Sequence, residues 1–173
     1  VAKGLVRGPD GGTLLERLLR VLGELGFPVV LVGSHPAYDH LGLETITDEP
    51  VGIGPLGGLV SLLRRAGDGH ALALACDMPF VSRPLLARLL TAAPGAPVVS
   101  PRTGGWEPLC AIYDAPRVLP LAAARAARGA LSLQGLLDEA GAVELPLEPG
   151  DLAQLKDWDT PSDADVNGAR QKG

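Results

Sequence analysis

Apolar positions recur along this chain with two periods, one helical and one alternating or continuous, and the two take turns. In 13–25, "TLLERLLRVLGEL", Leu14, Leu15, Leu18, Leu22 and Leu25 share one helical face, and Thr13 with Glu16 has the spacing of a capping box. The stretch 28–34, "PVVLVGS", reads as a buried strand closed by Gly33, and 43–47, "LETIT", as a shorter one. A helix is predicted over 55–66, "PLGGLVSLLRRA", followed by a strand over 70–76, "HALALAC". Ser82 can cap a helix over 83–93, whose first turn tolerates Pro84. Strands at 96–100 and 108–113, helices at 117–129 and 131–141, and a late strand at 142–147 complete the pattern. Such alternation predicts a parallel, doubly wound α/β sheet. No internal repeat or linker interrupts it, so residues 1–173 are expected to form one domain, with a polar stretch after Pro161 that frays at its end.

Composition narrows the function classes. Hydrophobic residues make up 46% and charged ones 20%, which argues against disorder over most of the chain. Only 3% is aromatic, so small aliphatic side chains must fill the core, as suits helices packed closely on a sheet. A net charge of −5 without any basic run speaks against a nucleic-acid partner. No apolar run reaches membrane-spanning length and no signal peptide is visible, so no membrane partner is expected. Cys76 and Cys110 sit in apolar strand-like segments and read as buried reduced thiols. The chain opens on Val1 with no initiator methionine, and residues before it are expected to have been removed or left out.

In open parallel sheets ligands bind beyond the carboxyl ends of the strands. Asp48 follows one strand and Asp77 another, so both acids are expected at that edge. Asp77 reads equally well as a ligand for a hard cation or as a structural cap. The glycine-rich stretch 52–59, "GIGPLGGL", opens a helix; it serves either close backbone approach by an anionic ligand or a tight helix–sheet contact. A lone lysine such as Lys3 is ordinarily solvated. In "DWDTP" (157–161), Asp157 and Asp159 can face one side and complete a cation site, or simply start a helix. His35 and His40 read as surface residues, not a zinc site. The nucleophile-elbow serine motif and the Walker lysine loop are both absent from the sequence.

In order, "AKGLV" (2–6), "PVVLVGS", "TDEPVGIGPLGGL" (47–59), "ACDMPFVSRPLLARLL" (75–90), "EPLCAIY" (107–113), "LSLQGLL" (131–137) and "DWDTPSD" (157–163) resemble the molybdenum cofactor guanylyltransferases, or molybdopterin-guanine dinucleotide biosynthesis protein A. The resemblance spans nearly the whole chain. It implies a Rossmann-like, three-layer nucleotidyltransferase fold with a mostly parallel sheet. It also implies transfer of GMP from GTP to molybdopterin with Mg²⁺, in the cytoplasm and in reach of the molybdenum insertion machinery. By the same resemblance Asp77 is a catalytic magnesium ligand, with Asp157 and Asp159 beside it, and Lys3 a catalytic phosphate-binding lysine. Asp48 is a GTP-binding acid, Gly54, Pro55, Leu56, Gly57 and Gly58 line the nucleotide pocket, and Ser34 stands where some members contact guanine with asparagine.

Two departures keep alternatives in view. The family's opening strand and its signature loop, resembling L-A-G-G-x-S-x-R-M-G, precede the lysine matched by Lys3 and are absent from these 173 residues. Acids at 157 and 159 are closer to the cytidylyl-transferring branch. The alternatives are a cytidylyl- or sugar-nucleotide transferase on the same fold, and a non-catalytic module, receiver-like or a degenerate paralogue.

Overall fold

Most helices begin at a residue whose side chain satisfies an orphan amide. In the computed structural model, which describes residues 3–7, 11–33, 35–78 and 80–156, α1 (Leu14–Leu25) starts on Thr13, and the reciprocal contact with Glu16 completes the capping box. Ser82 caps α3 (Arg83–Ala92), Asp114 caps α4 (Ala115–Ala127), and Ser132 caps α5 (Leu133–Ala140). Two helices lack such a cap: α2 (Pro55–Ala66) begins after Gly54, and the helix at Asp151–Gln154 after Gly150. A short helix, α6 (Asp151–Gln154), and a 3₁₀ turn, Pro36–Leu41, fall where the sequence pattern predicts no element. His35 caps that turn through Nδ1, a structural task consistent with its reading as a non-ligand.

Strands β1 (Val30–Val32) and β2 (Glu44–Ile46) pair in parallel. A second sheet has the order β3-β5-β4-β6, from β3 (His70–Leu74), β4 (Val98–Ser100), β5 (Cys110–Asp114) and β6 (Val143–Glu144). The α/β class is as expected, and β3, β4 and β6 share one direction; the departure from a parallel sheet is β5, which runs antiparallel to both β3 and β4. The reason is the connection. Only residues 101–109 join β4 to β5, fewer than the dozen or so a parallel crossover needs.

Side chains alternate across the second sheet and separate three layers. Ala71, Ala73, Val98, Ala111 and Tyr113 face the cluster containing α2, α4 and α5 residues, such as Leu56, Val118 and Leu136. Leu72, Leu74, Val99, Cys110 and Ile112 face the other cluster, with Leu86 of α3, Leu22 of α1 and Leu155. The small side chains lie on the α2 face, where helices come close to the sheet. Among the described residues no helix is long and apolar enough to cross a membrane.

Two contacts position the loops at the carboxyl ends of β2 and β3. At the start of α2, a Cβ added to Gly57 would lie 2.4 Å from the Pro50 carbonyl oxygen, and one added to Gly58 would lie 2.8 Å from Val32 Cγ1 and 3.3 Å from Asp48 Oδ1. Both glycines are buried. Their missing side chains let the helix press on the segment that carries Asp48. At α6, Arg88 bridges Glu148 and the buried Asp151, while Gln154 accepts a hydrogen bond from the Ser82 amide at 3.0 Å. The chain's last described helix thereby holds the loop after Asp77.

Two outcomes follow from these contacts. Gly57→Ala drives a methyl into backbone, which cannot swing away, and should destabilise the fold by about 1–3 kcal/mol in urea denaturation. Burial pushes the Asp151 carboxyl upward, but the Glu148 amide and the Arg88 guanidinium outweigh it and hold the pKa below the usual value. A depressed folded-state pKa contributes stability above the unfolded pKa and loses it as pH falls through the folded one. Asp151→Asn should therefore cost about 2 kcal/mol at pH 7. The deficit relative to the parent chain should shrink below about pH 4, where the parent loses the same charge. Denaturation at pH 7 and pH 3 checks both parts.

Candidate functional site

Sequence reasoning places Asp48 and Asp77 at one edge, and the structure gives each its own cavity. Asp48 follows β2 and lines a cavity of about 580 Å³ with Gly33, Gly54, Pro55, Gly58 and Tyr38; the rest of the lining is mostly aliphatic, with Phe27, Arg65, His70 and Cys76. The space is partly open and mostly apolar, with a few polar groups, the usual make-up of a ligand cleft. Gly54 has φ +71°, a conformation glycine adopts without strain, and no protein atom lies within 4 Å of where its Cβ would be. Its backbone is open to close approach. Gly57 and Gly58 instead meet the alternative reading left by the sequence, a tight packing contact. Leu56 is fully buried in the core.

Asp77 lies in a turn past β3, half-buried, and lines a second cavity of about 380 Å³. Glu107, Met78 and Pro108 line it too; Cys76 and Leu109 border both cavities. Glu107 is the residue that sequence reasoning missed. In a parallel sheet the start of a strand lies at the edge away from the ligand, whereas the antiparallel β5 puts Leu74 opposite Cys110 and so brings 107–109 to the carboxyl end of β3. A glutamate set before Pro108 at the mouth of an apolar strand is the signal, once strand direction is known.

The 101–109 loop is tightly held. Ser100, fully buried, accepts from the Glu107 amide at 3.1 Å, and its single O–H lies within reach of both the Pro101 and the Glu107 carbonyls. The Gln134 amide clamps Trp106, accepting from its backbone N–H at 2.8 Å and donating to its C=O at 2.7 Å. Trp106 Nε1 donates to Asp138, and the Arg102 guanidinium lies 4.5 Å from the indole centroid. The buried Tyr113 hydroxyl donates to the Pro108 carbonyl at 2.7 Å. Thr103 donates to the Glu107 carboxylate. Burial raises the pKa of Tyr38 at the first cavity, with Cys76 adding to the effect, so its hydroxyl stays protonated.

Among the described residues no three His, Cys, Asp or Glu side chains group as a metal site. Asp77 and Glu107 are oxygen donors, and a hard cation such as Mg²⁺ is typically held by one or two carboxylates with the remaining positions left to phosphate and water. The donor set fits such a cation. Ser34, Asp157 and Asp159 lie outside the described residues, as does the side chain of Lys3, whose backbone forms a 3₁₀ turn over Lys3–Leu5.

Comparison with known proteins bears on this arrangement. The chain is 36% identical over 147 residues to the molybdenum cofactor guanylyltransferase of Pseudomonas putida, an alignment covering 80% of this chain and 74% of that one. It is 29% identical over 100 residues to a probable molybdenum cofactor guanylyltransferase of Clostridium perfringens, covering 57% of this chain and half of that one. Among solved structures, molybdopterin-guanine dinucleotide biosynthesis protein A of Archaeoglobus fulgidus superposes with a TM-score of 0.76 at 24% identity, over 95% of this chain and 87% of that one, which speaks to the fold. The model of the MobA-like NTP transferase domain matches residues 2–143. That stretch runs from the Lys3 turn to β6 and includes Asp48, the α2 glycines, Asp77 and Glu107: the chain belongs to the MobA-like NTP transferase family.

Proposed function

We propose that this chain transfers GMP from GTP to molybdopterin, releasing pyrophosphate. The observation that carries the reading is the meeting of Asp77 and Glu107 in one cavity, bordering the partly glycine-lined one that holds Asp48. The name of the 36% identical relative supplies the substrates. In the reaction a phosphate oxygen of molybdopterin bonds to the α-phosphorus of GTP while the bond from that phosphorus to the β-phosphate oxygen breaks. Negative charge accumulates on the departing pyrophosphate.

Nucleotidyltransferases of this kind generally use a divalent metal, and we take it here to be Mg²⁺ held by Asp77 with Glu107. When bound, it neutralises triphosphate charge and polarises the α-phosphate. The protein's own residues do the positioning. The Asp48 carboxylate accepts from the N1–H and amino group of guanine, a donor pair that cytosine lacks. The backbone at Gly54 and the uncapped start of α2 suit an anionic or carbonyl-rich ligand. Lys3 serves the triphosphate, and Asp157 and Asp159 complete the cation site. Clamped by Ser100, Gln134 and Tyr113, the Glu107 loop needs little reorganisation on binding. The compartment implied is the cytoplasm, with the molybdenum insertion machinery receiving the product.

The test incubates the protein with molybdopterin, Mg²⁺ and each nucleoside triphosphate in turn, and identifies the dinucleotide product by mass. Product from GTP is expected; product from CTP alone would overturn the choice of base. Asp77→Asn preserves shape and should lower turnover by roughly a hundredfold or more while the melting temperature holds. Near-normal turnover in that variant would return Asp77 to a capping role.

A further inference from the structure

The peptide unit that joins Trp106 to Glu107 is gripped at both ends. Its carbonyl accepts from Gln134 Nε2 at 2.7 Å, and its N–H lies 3.0 Å from the Pro101 carbonyl and 3.1 Å from Ser100 Oγ. The Glu107 carbonyl in turn accepts from the Cys110 amide at 2.9 Å. Pro108 restricts Glu107 further, because its ring disfavours helical backbone in the residue before it. With the peptide planes on either side fixed, the direction of the Glu107 side chain is set, and Thr103 steers the carboxylate.

Part of this grip comes from a helix in another layer. Gln134 and Asp138 stand one turn apart on α5, so they share a face. Gln134 pairs with both backbone groups of Trp106, and Asp138 accepts from the indole Nε1 at 2.8 Å. Trp106 packs in the cluster that contains α5 residues, whereas Glu107 lines the cavity beside Asp77. Gly105 makes room for the grip: a Cβ there would lie 3.1 Å from Gln134 Oε1 and 3.4 Å from its Cδ. The turn itself closes without Gln134, through backbone bonds from Thr103 to Gly105 and from Glu107 to Pro101. Gln134 is exposed, so replacing it opens no cavity in the core. Its amide serves the loop.

We propose that Gln134 is a positioning residue: from a helix that does not line the Asp77 cavity, it aims the Glu107 carboxylate at a cation held there. The inference rests on the reading of Glu107 as a cation ligand beside Asp77. A carboxylate on a fixed backbone binds without first losing its own freedom, whereas a loosened one must be ordered at binding. Removing an outer partner of a ligand ordinarily weakens metal binding about 10–100-fold.

The probe is Mn²⁺, a paramagnetic substitute for Mg²⁺, titrated into the full chain while the free ion is read by electron paramagnetic resonance. Gln134→Met keeps the side chain's length and suits a helix, but it removes both bonds to Trp106. It should weaken Mn²⁺ binding by about tenfold, with the melting temperature nearly unchanged. Glu107→Gln should weaken binding at least as much. In the double variant the two losses should not add, because Gln134 acts only through the carboxylate. Parent-like binding in Gln134→Met overturns the inference and leaves Glu107 a ligand. A loss undiminished in the Glu107→Gln background overturns it as well, since it marks a general loosening of the loop. Parent-like binding in Glu107→Gln removes the ligand itself, and with it both the cation reading and the inference. Should Gln134→Met not fold, Gln134→Glu decides in the same way: it still accepts from the Trp106 N–H but cannot donate to the carbonyl.

Discussion

The direction of β5 governs how this molecule can work. Residues 101–109 are too few to cross over the sheet, so the chain turns back after β4 and lays β5 antiparallel between β4 and β3. The edge that a doubly wound sheet reserves for strand ends thereby receives a strand beginning as well. Glu107 and Pro108 arrive opposite Asp77 for that reason alone. The same reversal exposes a short loop that must be pinned, and Ser100, Tyr113 and the Gln134 amide pin its backbone from three elements. Backbone anchoring of this kind fixes the loop, while the Glu107 side chain lines the cavity and its carboxylate accepts from Thr103.

The two faces of the sheet divide the labour. Alanines on one face let α2 approach closely enough for Gly57 and Gly58 to touch the Asp48 segment. Larger side chains on the other face meet α1, α3 and α6, and the Arg88–Asp151 pair ties α6 to the helix that follows Asp77. Each acid at the site is thus carried on a loop whose position is set by the packing of one layer. Neither loop is long, and each begins on a strand that is paired along one side, β2 with β1 and β3 with β5.

Periodicity and caps were strong guides to this fold. Thr13 with Glu16, Pro55 and Ser82 mark helix starts within a residue, because such start signals are local and leave their signature in adjacent letters. Strand cores were equally readable, with ends trimmed where the ladder stops: 70–76 shortens to His70–Leu74. Strand direction was not readable from apolar runs, since a buried strand has the same pattern either way. It was implicit in loop length. Hence Asp77 and Asp48 could be found by position, and Glu107 could not. Helix α6 was missed because its four residues follow Gly150 and owe their place to Arg88 and Ser82, far away in sequence. The glycine pair illustrates a third case: its letters fit a ligand loop and a packing contact equally well, and only the neighbouring Pro50 carbonyl distinguishes them.

The placement of the two cysteines gives the protein two thiols of unlike reactivity. Burial first, then the carboxylates of Glu107 and Asp151, push the Cys110 thiol up to about 12, so it holds almost no thiolate at neutral pH and is shielded by the core. Cys76 is partly exposed and stands where the two cavities adjoin, one residue before Asp77. An alkylating reagent applied to the folded protein therefore discriminates between them without mutagenesis. A fluorophore or spin label introduced through that thiol would sit at the junction itself, so the unaltered chain offers its own handle for watching the site fill.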